Sequence, residues 1–178
     1  MGGNVVMSYA GVRPSRVRQL INLEGFGMPQ TQPHHAPKRL TQWLDELRQA
    51  QSLRSYDSLD AVAARLCKTN PLLAADKAAW LASHWSRRGD DGRWHILGDA
   101  AHKRVNPVLS RAEDTIATWK LITAKLLWVE GVGTEFGKWW GERYTRAQFE
   151  ERLSVVASVQ RLKLEPAGHM LHHDQPEA

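Results

Sequence analysis

The 178-residue chain holds a single cysteine, Cys67, which excludes an intramolecular disulfide and a cysteine-rich zinc site. Its alanine-rich, helix-like surroundings predict a buried and inert thiol. No apolar stretch approaches the ~20 residues that span a bilayer, so no membrane span is expected. No secretory leader is visible either, and the expectation is a cytoplasmic protein. Nor is the positive charge gathered into one stripe. The net charge of +5 and the pI of about 9.6 come from dispersed pairs, Lys38-Arg39, Arg87-Arg88 and Lys103-Arg104. None of the familiar nucleic-acid-binding modules accompanies them, so nucleic acid is not an expected partner. What is present, 42% hydrophobic and 24% charged residues, suffices for one domain or a small pair with a sizeable core.

The most informative segment is Ala167-Gly168-His169-Met170-Leu171-His172-His173-Asp174. It follows Val159–Leu164, whose alternation of apolar and polar residues is the period of a half-buried strand. Asp174, with Glu177 three residues on and Pro176 between, predicts a helix N-cap with a capping-box partner. His169 therefore lies in a small-residue loop between a strand and a helix start, where a catalytic base is often held. At the other end, Met1-Gly2-Gly3-Asn4 opens a helix with two glycines in its first turn. Glycine there costs about 1 kcal/mol relative to alanine, which a close backbone approach would explain.

Three strands are expected: one within Arg18–Gly27, a buried one at Lys125–Gly131, and Val159–Leu164. Between the first two lies an insertion far longer than a crossover helix needs, about 10–15 residues. After a proline-rich lead-in it carries helical patterns. Leu40, Trp43, Leu44 and Leu47 mark the first face; Leu59, Val62, Ala63 and Leu66 mark the second, capped around Ser58. A third presents Trp80, Leu81 and Trp85, an extended segment follows at Arg93–Leu97, and a last helix is expected over 107–120. Trp43, Trp80, Trp85 and Trp119 are expected in cores.

In this order the motifs resemble the α/β-hydrolases. Met1-Gly2-Gly3-Asn4 is similar to the second half of the nucleophile elbow, Gly-x-Ser-x-Gly; Leu23-Glu24-Gly25-Phe26-Gly27 ends a strand like the family's sixth; the other two strands match the seventh and eighth, and Ala-Gly-His follows. The resemblance implies an α/β fold class, the C-terminal part of an α/β-hydrolase with parallel strands six to eight and a mostly helical cap. Residues 1–28 and 121–178 would form the core and 29–120 the cap. An open edge is expected on the first strand, with aggregation as its consequence.

The resemblance also implies a site. His169 would be the base, and the acid, usually an aspartate after the seventh strand, would be Glu135 or Glu130, with Glu24 the alternative. A structural role for Glu24, accepting backbone N–H groups of the Gly25–Gly27 loop, is an equal expectation. The Met1 backbone N–H would serve the oxyanion hole, and Trp139, Trp140 and Phe26 would wall the pocket. No cofactor is expected, and no metal, because His169, His172, His173 and Asp174 lack a remote further ligand. No Gly-x-Ser-x-Gly occurs in the chain; the nucleophile would directly precede Met1, and the chain alone is expected to be inactive. The parent activity implied is hydrolysis of a carboxylic ester or similar small substrate by a Ser-His-acid triad, with the N-terminal half of the same fold as missing partner. The oligomeric state stays open. Two alternatives remain: a non-catalytic binding protein derived from a hydrolase, and a dehalogenase- or epoxide-hydrolase-like enzyme with an aspartate nucleophile.

Overall fold

The computed structural model describes residues 1–178. It divides into two compact units: Met1–Thr31 together with Leu109–Ala178, and Gln32–Val108.

The first unit is built on three parallel strands, β1 (Gln19–Leu23), β5 (Lys125–Gly131) and β6 (Val159–Leu164), in the order β1-β5-β6. Leu20 and Asn22 pair with Leu126 and Trp128, so these four side chains share one face. That face is covered by α1 (Gly2–Val12), α5 (Ala112–Trp119) and α7 (Arg146–Leu153) through Met7, Ala10, Trp119, Phe149 and Leu153, all buried. Trp119 ties α5 into this core, and the second unit ends at Val108. The opposite face is only partly covered. Val129 packs on Ala167 and on Leu171 of the short helix α8 (Leu171–Asp174), whereas Ile21 and Leu162 are exposed. The burial of β1 accordingly alternates, and β6 is mostly exposed rather than half-buried.

The turn after β1 must pass against the first turn of α1. A Cβ on Gly25 would lie 2.3 Å from the Gly3 carbonyl carbon and 2.7 Å from the Asn4 nitrogen. This contact explains the paired glycines. Two buried or half-buried amides complete the junction: Asn22 Oδ1 accepts the Gly25 N–H at 2.7 Å, and Asn4 Oδ1 accepts that of Gly27 at 2.9 Å.

The second unit contains α2 (Ala36–Arg48), α3 (Leu59–Thr69) and α4 (Ala75–Trp85), with β2 (Ser55–Tyr56), β3 (Ser86–Arg88) and β4 (Trp94–Ile96) in an antiparallel sheet ordered β2-β4-β3. Ser58 caps α3 by accepting the Ala61 N–H at 3.1 Å. Leu73, Ala78 and Leu81 form its core with Ala63, Leu66 and Cys67. Cys67 is half-buried rather than buried. Trp80 is 62% exposed and Trp85 39%, against the expectation of core positions, because α4 turns Ala78, Leu81 and Ala82 inward instead. Leu40, Leu44 and Leu47 are exposed, and α2 buries none of its residues. No helix of the structure is long and apolar enough to cross a membrane.

Candidate functional site

The C-terminal ends of β1, β5 and β6 deliver three loops to one place. Glu24 follows β1 directly, Gly131–Glu135 (with Gly131 the last residue of β5) leads away from the middle strand, and His169 lies in the loop beyond β6. In parallel sheets this carboxyl edge is where ligand sites form, since the loops there are free of the ladder.

His169 Nδ1 lies 2.8 Å from Glu24 Oε2, across 145 residues of sequence. The Glu24 side chain is fully buried and the imidazole is 44% exposed. An ionised carboxylate only accepts, so the pairing makes Nδ1 the donor and leaves Nε2 with a lone pair. Nε2 has no hydrogen-bond partner in the protein. Glu24 adopts φ +55, the left-handed region that a non-glycine residue seldom occupies. Backbone strain of this kind persists where the surroundings over-determine it, and it clusters at working sites. Here the surroundings are evident: Oε1 accepts the Gly131 N–H at 2.7 Å and the Thr134 hydroxyl at 2.6 Å, and the Glu24 N–H donates to Val129 at 3.2 Å.

The other expected acids are occupied elsewhere. Glu130 is gripped on both oxygens by Arg146, whose guanidinium also lies over the rings of Phe26, Phe136 and Phe149. Glu135 is an exposed residue paired with Lys138 one turn on, at the start of α6 (Phe136–Trp140). Neither meets His169; the carboxylate that does is Glu24, the alternative of the three. The structural duty expected of Glu24 is also differently shared. The Gly25–Gly27 loop is held by Asn22 and Asn4, by the Tyr144 hydroxyl donating to Phe26 O at 2.6 Å, and by Arg152 donating to Met28 O at 2.6 Å.

The histidine loop has its own anchors. Asp174 Oδ2 accepts the Gly168 N–H at 2.9 Å, and Gly133 N–H donates to Ala167 O at 2.8 Å. Asp174 is also the last residue of the single turn of α8. Gly131 allows the approach, since a Cβ there would meet Gly168 O at 2.5 Å. Burial holds the His172 and His173 imidazoles below their ordinary pKa.

Among the expected pocket walls, Trp139 lies edge-on to the His169 ring with centroids 4.4 Å apart, and Trp140 packs on Trp139 at 5.3 Å. Phe26 is 1% exposed and belongs to the core, where its ring meets Trp128, Phe136 and Phe149. Met1 precedes α1 at its N-cap and is exposed. No serine of the chain hydrogen-bonds His169. No group of three or more His, Cys, Asp and Glu side chains is arranged to hold a metal ion. A cavity of about 260 Å³ between α7 and β6, lined by Trp128, Glu130, Arg146 and Arg161 among others, shares no residue with the Glu24–His169 pair. Thr134, Asn4, Asn22, Tyr144 and Arg152 were not singled out by sequence. Thr134 is the hydroxyl of the loop in which the resemblance implies an aspartate.

No protein-family model and no curated protein matches the chain. Solved structures do. The thioesterase domain from the curacin biosynthetic pathway superposes with a TM-score of 0.77 at 20% identity, covering 97% of this chain and 59% of that one. An esterase of Mycobacterium tuberculosis gives 0.65 at 18%, covering 98% and 55%, and E-2-(acetamidomethylene)succinate hydrolase gives 0.64 at 15%, covering 99% and 59%. The chain thus spans somewhat over half the length of the structures it resembles. Its parallel strands, the loops at their carboxyl ends and these likenesses agree: the chain has the α/β-hydrolase fold, of which it forms the C-terminal part.

Proposed function

We propose that Glu24 and His169 are the acid and base of a hydrolase that acts on a small carboxylic ester or thioester-like substrate. The observation that carries this is the 2.8 Å contact between His169 Nδ1 and a fully buried carboxylate, with Nε2 left unpartnered. A serine hydroxyl becomes a useful nucleophile only when an imidazole takes its proton, and the carboxylate fixes the tautomer and stabilises the imidazolium that forms. Glu24 is placed for both duties. The structural neighbours, a thioesterase, an esterase and a hydrolase, support hydrolysis of an ester or thioester as the class. In this reading Trp139 forms one wall beside the base, and the inserted unit Gln32–Val108, which enters the chain between β1 and β5, serves as the cap. The reaction also needs a nucleophile, which residues 1–178 do not set beside His169.

Two measurements test this. Purified chain of residues 1–178 is expected to turn over no p-nitrophenyl ester, and turnover that disappears in His169→Ala would contradict that. The gene's reading frame upstream of Met1 is then expected to encode Gly-x-Ser. A protein expressed from the extended frame should hydrolyse the esters, with His169→Ala abolishing the rate and Glu24→Gln lowering it by about 10⁴, the loss seen when a triad acid is neutralised. Activity in the extended protein that survives His169→Ala refutes the assignment. An aspartate codon at the nucleophile position would point instead to dehalogenase- or epoxide-hydrolase-like chemistry, and an upstream stop codon to a binding protein.

A further inference from the structure

The two oxygens of Glu24 have different surroundings. Oε1 takes two donors, the Gly131 N–H and the Thr134 hydroxyl, while Oε2 faces His169 alone. The terminal torsion of a glutamate is broad and roughly two-fold, so the carboxylate has no intrinsic preference for the orientation it adopts. Two donors converging on one oxygen remove that freedom. The Gly131 donor is main chain at the end of β5 and is present whatever the side chains are. Thr134 is the side-chain donor, and its own position is set by the same loop: Thr134 N–H donates to Gly131 O at 3.0 Å, and the neighbouring Gly133 N–H to Ala167 O at 2.8 Å, two residues before His169. One short loop thereby holds the carboxylate through a hydroxyl and the imidazole through the backbone.

We infer that Thr134 is a positioning residue for the Glu24–His169 pair: its hydroxyl fixes the carboxylate with Oε2 toward Nδ1 and so selects the Nδ1–H tautomer that leaves Nε2 free. This rests on the acid–base reading of the pair. The alternative is that Thr134 only satisfies a buried oxygen. That role would affect stability and leave the imidazole unchanged.

The test is nuclear magnetic resonance of the 178-residue chain with ¹⁵N-labelled histidine, which reports the tautomer and the exchange rate of the Nδ1 proton. Wild type and Thr134→Ser, which keeps the hydroxyl, are expected to show one tautomer with a downfield, slowly exchanging Nδ1 proton. In Thr134→Val that proton should exchange about tenfold faster, the factor of one hydrogen bond to a charged group, and the Nε2–H tautomer should appear. Thr134→Ala gives the same comparison should the valine variant fail to fold. A Thr134→Val or Thr134→Ala spectrum identical to wild type overturns the inference while leaving the pair intact. Retention of the downfield proton in Glu24→Gln overturns the pair itself, and the two failures are thereby distinguished.

Discussion

A buried carboxylate with no lysine or arginine beside it needs hydrogen-bond donors, and Glu24 has three, from Gly131, Thr134 and His169. Each of those donors depends on backbones passing closely, so the residues that matter most after Glu24 are glycines. At the Gly3–Gly25 crossing an added methyl group meets main-chain atoms, which cannot swing aside as a side-chain tip would. Gly25→Ala is therefore expected to destabilise the chain by about 3 kcal/mol, at the upper end of overpacking costs, and a urea-midpoint change worth under about 1 kcal/mol would show that the junction yields. Glu24, Glu130 and Glu135 all lie near strand ends, and chain order favoured the two after β5. Their occupation by Arg146 and Lys138 depends on side-chain directions in α7 and α6 that no spacing rule encodes.

Among the elements, α1 is the anomaly. It is apolar nearly all round, yet only Met7, Ala10 and Gly11 are buried, leaving Val5, Tyr9 and Val12 exposed along a second face. A helix apolar on every side is stable in water only when covered on every side. Beside it in sequence, β1 ends the three-strand order and exposes Ile21 to 62%. An edge strand with an apolar outer side chain is a template for association. Purified chain should therefore self-associate in light scattering, and Ile21→Lys should reduce this while changing stability by no more than about 0.5 kcal/mol, as exposed substitutions do. Equal scattering from both proteins would place the association elsewhere. The strands themselves were legible: Lys125–Gly131 and Val159–Leu164 coincide with β5 and β6, since an apolar run and a period of two are both local properties. The tryptophans of α4 were not, because helical spacing shows that a face exists without saying what covers it.

At the scale of the molecule, one phenol links the loop after β1 to the rest of the first unit. Tyr144 is fully buried and donates to Phe26 O, and burial, opposed by Arg152, pushes its pKa up from 10.0 to about 12. Between these values the unfolded chain releases the proton and the folded chain keeps it, so stability is whole below pH 10 and falls as pH rises toward 12. The loss should amount to roughly 2–3 kcal/mol at about 1.4 per pKa unit. Tyr144→Phe lacks the titrating group and should show a flatter decline in urea titrations across that window; parallel curves for the two proteins would exclude Tyr144 as the cause.

By itself the sequence determined the three strands, the long insertion between the first two, the paired glycines and the histidine loop. These are readable because periodicity and glycine spacing act between residues a few positions apart. Only the tertiary structure decided that Glu24 meets His169, that Thr134 and Gly131 hold it, and that Trp139 rather than Phe26 borders the imidazole. The reason is distance along the chain. A carboxylate's partners are set by which donors reach it in space, and those of Glu24 stand 107, 110 and 145 residues away.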